Sequence, residues 1–120
     1  MSLGAYQKVQ RTTESPRDAE YRLFGTVTSA LIEAKGLDKL DKKLIEALDW
    51  NRRMWSVLAG DCAGEGNGLP EALRAQIISI SLWVSKYSSE VMRGKGDIED
   101  LIDINKTIME GLKPTAAPAS

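Results

Sequence analysis

Residues 41–60 read DKKLIEALDWNRRMWSVLAG, and the spacing of their apolar side chains decides the fold class. At 100° per residue Leu44, Leu48, Trp55 and Leu58 fall on one stripe, while Ala47, Trp50, Met54 and Val57 form a second stripe beside it. Lys42, Glu46, Asp49, Arg52 and Arg53 occupy the opposite side. The apolar arc covers about half of the circumference, wider than the ~100° that packing on one neighbour needs. Either two helices pack on it or part of it is kept for a partner. Asn51 lies inside the first stripe, where an interhelical hydrogen bond would fix the register of a bundle.

Three further segments carry the same period, and none alternates as a strand would, so the chain is expected to be all-α, a small bundle of four main helices. Before the quoted stretch, Ser15, Pro16 and Asp18 form a helix start, followed by Leu23, Val27, Ala30, Leu31 and Ala34 on one face until Gly36. Residues 3–12, with Leu3, Tyr6 and Val9, could add a short helix if it docks. After the quoted stretch, residues 60–68 read as a glycine-rich connector, and Pro70 and Glu71 open a third helix running to about Arg93. Its main stripe is Leu73, Ile77, Ile80, Val84, Tyr87 and Val91. Ile78 and Leu82 on the reverse side suit either a central position or a docking surface. Gly94, Lys95 and Gly96 break the chain, and Asp97 with Asp100 caps a fourth helix that buries Ile98, Leu101, Ile102, Ile108, Met109 and Leu112. One domain over residues 1–112 and a disordered Pro/Ala-rich tail over 113–120 complete the expected organisation.

Composition removes most catalytic templates. The 120 residues contain no histidine, hence no usual neutral-pH base and no Ser-His-Asp or Cys-His pairing. Cys62 is the only cysteine, which excludes an internal disulfide or a Cys-x-x-Cys site, and no metal or other cofactor is expected. Sixteen basic residues against 17 acidic ones give a net charge of −1 and a pI near 5.5, so polyanions would need a local patch. The longest uncharged stretch ahead of the tail, residues 75–85, is eleven residues long, against the ~20 that a membrane span requires. With no apolar run of signal-peptide length at the start, a soluble cytoplasmic protein without enzymatic activity is expected.

The remaining chemistry has bland explanations beside the functional ones. Asp97, Glu99 and Asp100 stand at a helix start, where carboxylates satisfy free N–H groups. Cys62 follows Asp61, whose charge disfavours a thiolate. The connector lacks the Lys-Ser/Thr ending of a phosphate loop and follows a helix. Arg52, Arg53 and Arg74 could meet RNA with tryptophans beside them, but Asp49, Asp61, Glu65 and Glu71 offset their field. Of the tryptophans, Trp55 is assigned to the core, while Trp50 and Trp83 could equally anchor an interface.

Three blocks of sequence carry a family resemblance: Ser15-Pro-Arg-Asp-Ala-Glu-Tyr-Arg-Leu-Phe24, Leu48-Asp-Trp-Asn-Arg-Arg-Met-Trp55 and Ile77-Ile-Ser-Ile-Ser-Leu-Trp-Val84. With Ala5-Tyr6-Gln7 before them and Met92-Arg93-Gly94 after, the chain resembles the flagellar biosynthesis regulator FlaF of alphaproteobacteria. The resemblance implies a cytoplasmic protein needed for flagellin production and export, working against the translational repressor FlbT and similar to a flagellin secretion chaperone. Flagellin is then the expected partner, held helix-in-groove, with FlbT as a second candidate and self-association through the same apolar face also open. The expected interface is Trp50, Arg53, Met54, Val57, Ile78, Leu82 and Trp83. The alternative is a regulator acting on flagellin messenger RNA, directly through Arg52, Arg53 and Arg74 or by way of FlbT.

Overall fold

Ser15 starts the first helix as its spacing to Asp18 requires, its hydroxyl oxygen accepting the Asp18 N–H at 3.1 Å. From there the computed structural model, which describes residues 15–113, forms α1 (Pro16–Ala34), α2 (Lys42–Ala63), α3 (Glu71–Met92) and α4 (Ile98–Leu112). There is no strand among the described residues, and the all-α four-helix architecture read from periodicity is the one observed. The short helix expected within 3–12 and residues 114–120 of the expected tail lie outside the described residues.

Local chemistry sets each boundary. Gly36 at φ +86° carries the chain out of α1 through the left-handed region, which favours glycine. Asp41 caps α2 by accepting the Lys43 N–H at 2.8 Å, and Asp97 caps α4 by accepting the Glu99 N–H at 2.9 Å. Two boundaries differ from expectation. The second helix continues past Gly60 to Ala63, since Cys62 turns into the core and Asn67 ties the connector back to the Asp61 carbonyl. Pro70 is the cap of α3 and not its first helical residue, and its carbonyl accepts the Arg74 N–H at 3.0 Å.

The helices close into a ring: α1 packs on α2, α2 most extensively on α3, α3 more lightly on α4, and α4 returns to α1. At the centre Trp55 is fully buried and meets Phe24 edge-on, with ring centroids 5.3 Å apart and planes at 79°. A polar network crosses this apolar core. The Trp55 indole N–H donates to Asn105 Oδ1 at 2.8 Å, and Asn105 Nδ2 donates to Asn51 Oδ1 at 2.8 Å and to Thr28 Oγ1 at 3.1 Å. Ser81 Oγ donates to the Trp55 carbonyl at 3.2 Å, so all four helices are joined. The bond expected of Asn51 is therefore present, made to α4.

The inward face of α1 is rotated from the expected one. Val27, Leu31 and Ala34 are buried as anticipated, but Phe24 and Thr28 join them, whereas Leu23 is exposed and Ala30 only half-buried. Sitting between α2 and α4, α1 presents an arc that serves two neighbours at once. On α3, Ile77, Val84 and Val91 are buried, with Ser81 and Ser88 between them in place of the half-buried Leu73, Ile80 and Tyr87. Small side chains there let α3 approach α2 closely. On α4 five of the six expected residues are buried and Met109 packs at the edge, with Asn105 completing the stripe.

Candidate functional site

The seam between α1 and α2 is where the apolar arc of α2 exceeds what the core uses. Leu44, Leu48, Trp55 and Leu58 are buried, as are Ala47 and Met54, but Trp50 remains 42% exposed and Val57 66% exposed. Leu23 of α1 faces the same gap. These side chains enclose a cleft of 220 Å³ with Phe24, Met54 and Leu58 also in its wall, and with Glu20, Arg53 and Asp61 at its rim. Met54 was expected at an interface; the structure buries it among the residues lining the cleft.

Neighbouring depressions extend this cleft along both helices. At one end Glu20 and Asp61 belong also to a polar hollow reaching Ser15, Arg17 and Glu65. At the other, Trp50 is shared with a hollow floored by Ala30, Ala34 and Ala47 and edged by Glu33, Lys43 and Glu46. The small alanines keep the helices from filling the seam. The result is a groove following α1 and α2, apolar in the middle and charged at both ends.

Its electrostatics are mildly acidic at the Ser15 end. Burial pushes the Glu20 carboxyl above its usual range, the Asp61 charge adds to this, and Arg17 partly offsets both. The buried Cys62 thiol is likewise pushed up by burial, then by Glu20 and Asp61, so it is a poor nucleophile. Among the described residues there is no cluster of three or more His, Cys, Asp or Glu side chains that could hold a metal.

Of the arginines offered for RNA, two share one carboxylate on α2 and the third stands on α3. Arg52 and Arg53 both close on Asp49, at 2.8 and 2.7 Å, and the Arg52 hydrogen bond holds that carboxyl below its usual range. Arg74 is on α3, half-buried, with its Nε hydrogen lacking a partner. At the start of α4, Asp97 is a cap, Glu99 pairs with Lys35 and Asp100 accepts from the Tyr87 hydroxyl, which accounts for all three carboxylates structurally.

Of the seven expected interface residues the structure gathers four, Trp50, Arg53, Met54 and Val57, around one cleft. Ile78, Leu82 and Trp83 are on α3 and line none of the hollows along the α1–α2 seam. Ile78 packs against the core, Leu82 is 73% exposed, and Trp83 stacks on Tyr87 at 4.7 Å with planes 15° apart. Sequence reasoning missed the α1 wall, Glu20, Leu23 and Phe24, and also Leu58 and Asp61 as lining residues. The signal for the wall was available: Glu20, Phe24 and Val27 are spaced for one helical face.

The described helices include none long and apolar enough to cross a membrane. A family model described as Flagellar protein FlaF matches residues 2–112. No curated protein and no solved structure matches the chain.

Proposed function

The chain belongs to the flagellar protein FlaF family, and from that premise we propose that it binds unassembled flagellin in the α1–α2 cleft as a non-enzymatic secretion chaperone in the cytoplasm. The observation that carries this reading is the exposed pair Trp50 and Val57 beside the buried Met54, an apolar strip left uncovered along the wall of a cleft. Flagellin termini become helical only on assembly, and such a segment needs an apolar groove while it waits for export. Covering it would promote flagellin production by preventing aggregation, and FlbT is the counterpart through which translation would respond. Direct messenger RNA binding has less support, because Arg52 and Arg53 are engaged by Asp49.

The test is a titration of purified flagellin monomer into the full chain, beside the Trp50→Ala variant. Saturable binding is expected, weakened in the variant by ~30-fold or more, as central aromatic anchors usually give. Because Trp50 is half outside the core, its melting transition should change little. Absence of any complex, or a complex indifferent to Trp50, would remove flagellin from this cleft.

A further inference from the structure

On α3, the side turned away from the buried Ile77, Ser81 and Val84 carries one stripe, Glu71, Ala75, Leu82 and Lys86, whose members fall within about 60° of one another at 100° per residue. All four are exposed, and Leu82 is the most exposed large apolar side chain of the helix. Trp83 flanks the stripe, held flat by its stacking on Tyr87. We propose that a second copy of this chain covers this face, with α3 lying antiparallel on α3 about a two-fold axis between Ile78 and Ser79. The hollows along the α1–α2 seam share no residue with the stripe, so the inference stands apart from whatever the groove binds.

The order of residues along the stripe selects a second copy as the occupant. Measured from the midpoint between Ile78 and Ser79, Glu71 and Lys86 stand ~11 Å away in opposite directions, and Ala75 and Leu82 stand ~5 Å away, at the rise of an α-helix. A two-fold axis at that midpoint sets Leu82 of each copy over Ala75 of the other, large against small. It also sets Lys86 of each copy beside Glu71 of the other, base against acid. A parallel pair in register would oppose like charges at both ends and crowd Leu82 against its own equivalent. Neither Glu71 nor Lys86 forms an ion pair within the chain among the described residues, so both charges are available to the second copy. The antiparallel arrangement also brings opposite ends of the two helix dipoles together. Because the contact is isologous, each complementary pair is made twice. One helix pair is small beside the about 1,600 Å² of a standard interface, so the dimer is a reversible one.

The test is sedimentation equilibrium of the full chain from about 1 to 500 µM, a range suited to a small interface, with flagellin absent. A monomer–dimer equilibrium is expected. Leu82→Asp should weaken it by ~30-fold or more, since it places a charge at the centre of the contact. Glu71→Lys should weaken it by ~10-fold, because the introduced lysine then faces Lys86 of the other copy at both ends. Adding Lys86→Glu to the same chain restores the opposite charges and should bring affinity back to within about threefold. Mixed in equal amounts, Glu71→Lys and Lys86→Glu chains should pair with each other in preference to themselves. All three positions are exposed, so the variants should keep the melting transition of the native chain. A monomer at every concentration overturns the proposal, as does a dimer indifferent to Leu82→Asp or one that the charge swap fails to rescue. Loss of the dimer in Val57→Asp, with Leu82→Asp harmless, would place the contact at the α1–α2 seam and overturn it equally.

Discussion

Trp55 and Asn105 meet needs that neither could meet elsewhere. A fully buried indole N–H requires an acceptor, and Asn105 Oδ1 supplies it while the same amide donates to Asn51 and Thr28. Asn105→Leu should orphan the indole N–H and Asn51 Oδ1 together, costing about 2–6 kcal/mol at about 1–3 kcal/mol per buried group. Asn51→Leu should cost about 1 kcal/mol or less, because it also removes an Nδ2 that already lacks a partner and leaves Asn105 donating to Thr28. Denaturant midpoints at unchanged slope measure both; equal losses would mean that Asn105 is not the hub. Asn51 was legible because it interrupts an apolar stripe. Asn105 was equally spaced, between Leu101 and Ile108, but its partner Trp55 is 50 residues away in sequence and no local pattern announces such a pair. Glu20 supplies a second test at this scale. Its carboxyl titrates above the usual range when folded, so its favourable contribution is complete below the unfolded pKa and is lost as pH rises through the folded one. Glu20→Gln should therefore raise stability at neutral pH, by up to about 0.5 kcal/mol as for surface changes. The gain should vanish below about pH 4.3, the ordinary glutamate value. A gain that persists in acid would assign the effect to packing.

At the scale of the element, the caps and glycines explain where helices begin and end, and they were the most readable part of the chain. Ser15 and Asp97 cap as spaced, because a side-chain oxygen and an N–H two or three residues on are a local matter, and Asp41 caps α2 in the same way. The extension of α2 beyond Gly60 was not readable, since it follows from Cys62 reaching a core built by distant residues. The rotation of α1 has the same origin. Glycines in the two settings should respond oppositely. An added Cβ at Gly60, within α2, meets nothing within 4 Å, so Gly60→Ala should stabilise by about 0.5–1 kcal/mol through helix propensity. At Gly96 the added carbon would sit 3.0 Å from the Tyr87 ring and 3.2 Å from the Val91 backbone nitrogen, which cannot give way. Gly96→Ala should destabilise by about 1–3 kcal/mol. It should also disturb the bond from the Asp97 N–H to the Tyr87 hydroxyl that joins the α3–α4 turn to α3. Thermal melts of the two variants should move in opposite directions, and a neutral Gly96→Ala would show that the turn relaxes freely.

Over the whole molecule, the two exposed tryptophans are divided between the α1–α2 groove, which holds Trp50, and the outer side of α3, which carries Trp83. Sequence periodicity found both, through Trp50 and Val57 on one hand and Leu82 and Trp83 on the other, but could not show that a folded bundle separates them. A groove gives a bound helix contacts on two sides, whereas Leu82 stands 73% exposed outside the seam, with Trp83 already stacked on Tyr87. Val57→Asp should accordingly weaken flagellin binding by ~10-fold or more, since it places a charge in the desolvated centre of the contact. Leu82→Asp should leave affinity within about twofold, a rim-level effect. Salt separates the mechanism from the RNA alternative in the same assay. Apolar contact releases no condensed counterions, so flagellin affinity should be nearly flat between about 50 and 200 mM salt, while six to ten phosphate contacts would cost about 10³–10⁵ over that range. Arg52→Glu with Arg74→Glu should then spare the flagellin complex, because those residues line no part of the apolar cleft. If Leu82→Asp were the damaging variant, the docking surface would belong to α3. If binding were steep in salt and lost in the double reversal, with leader RNA as the ligand that saturates, the protein would be a reader of messenger RNA.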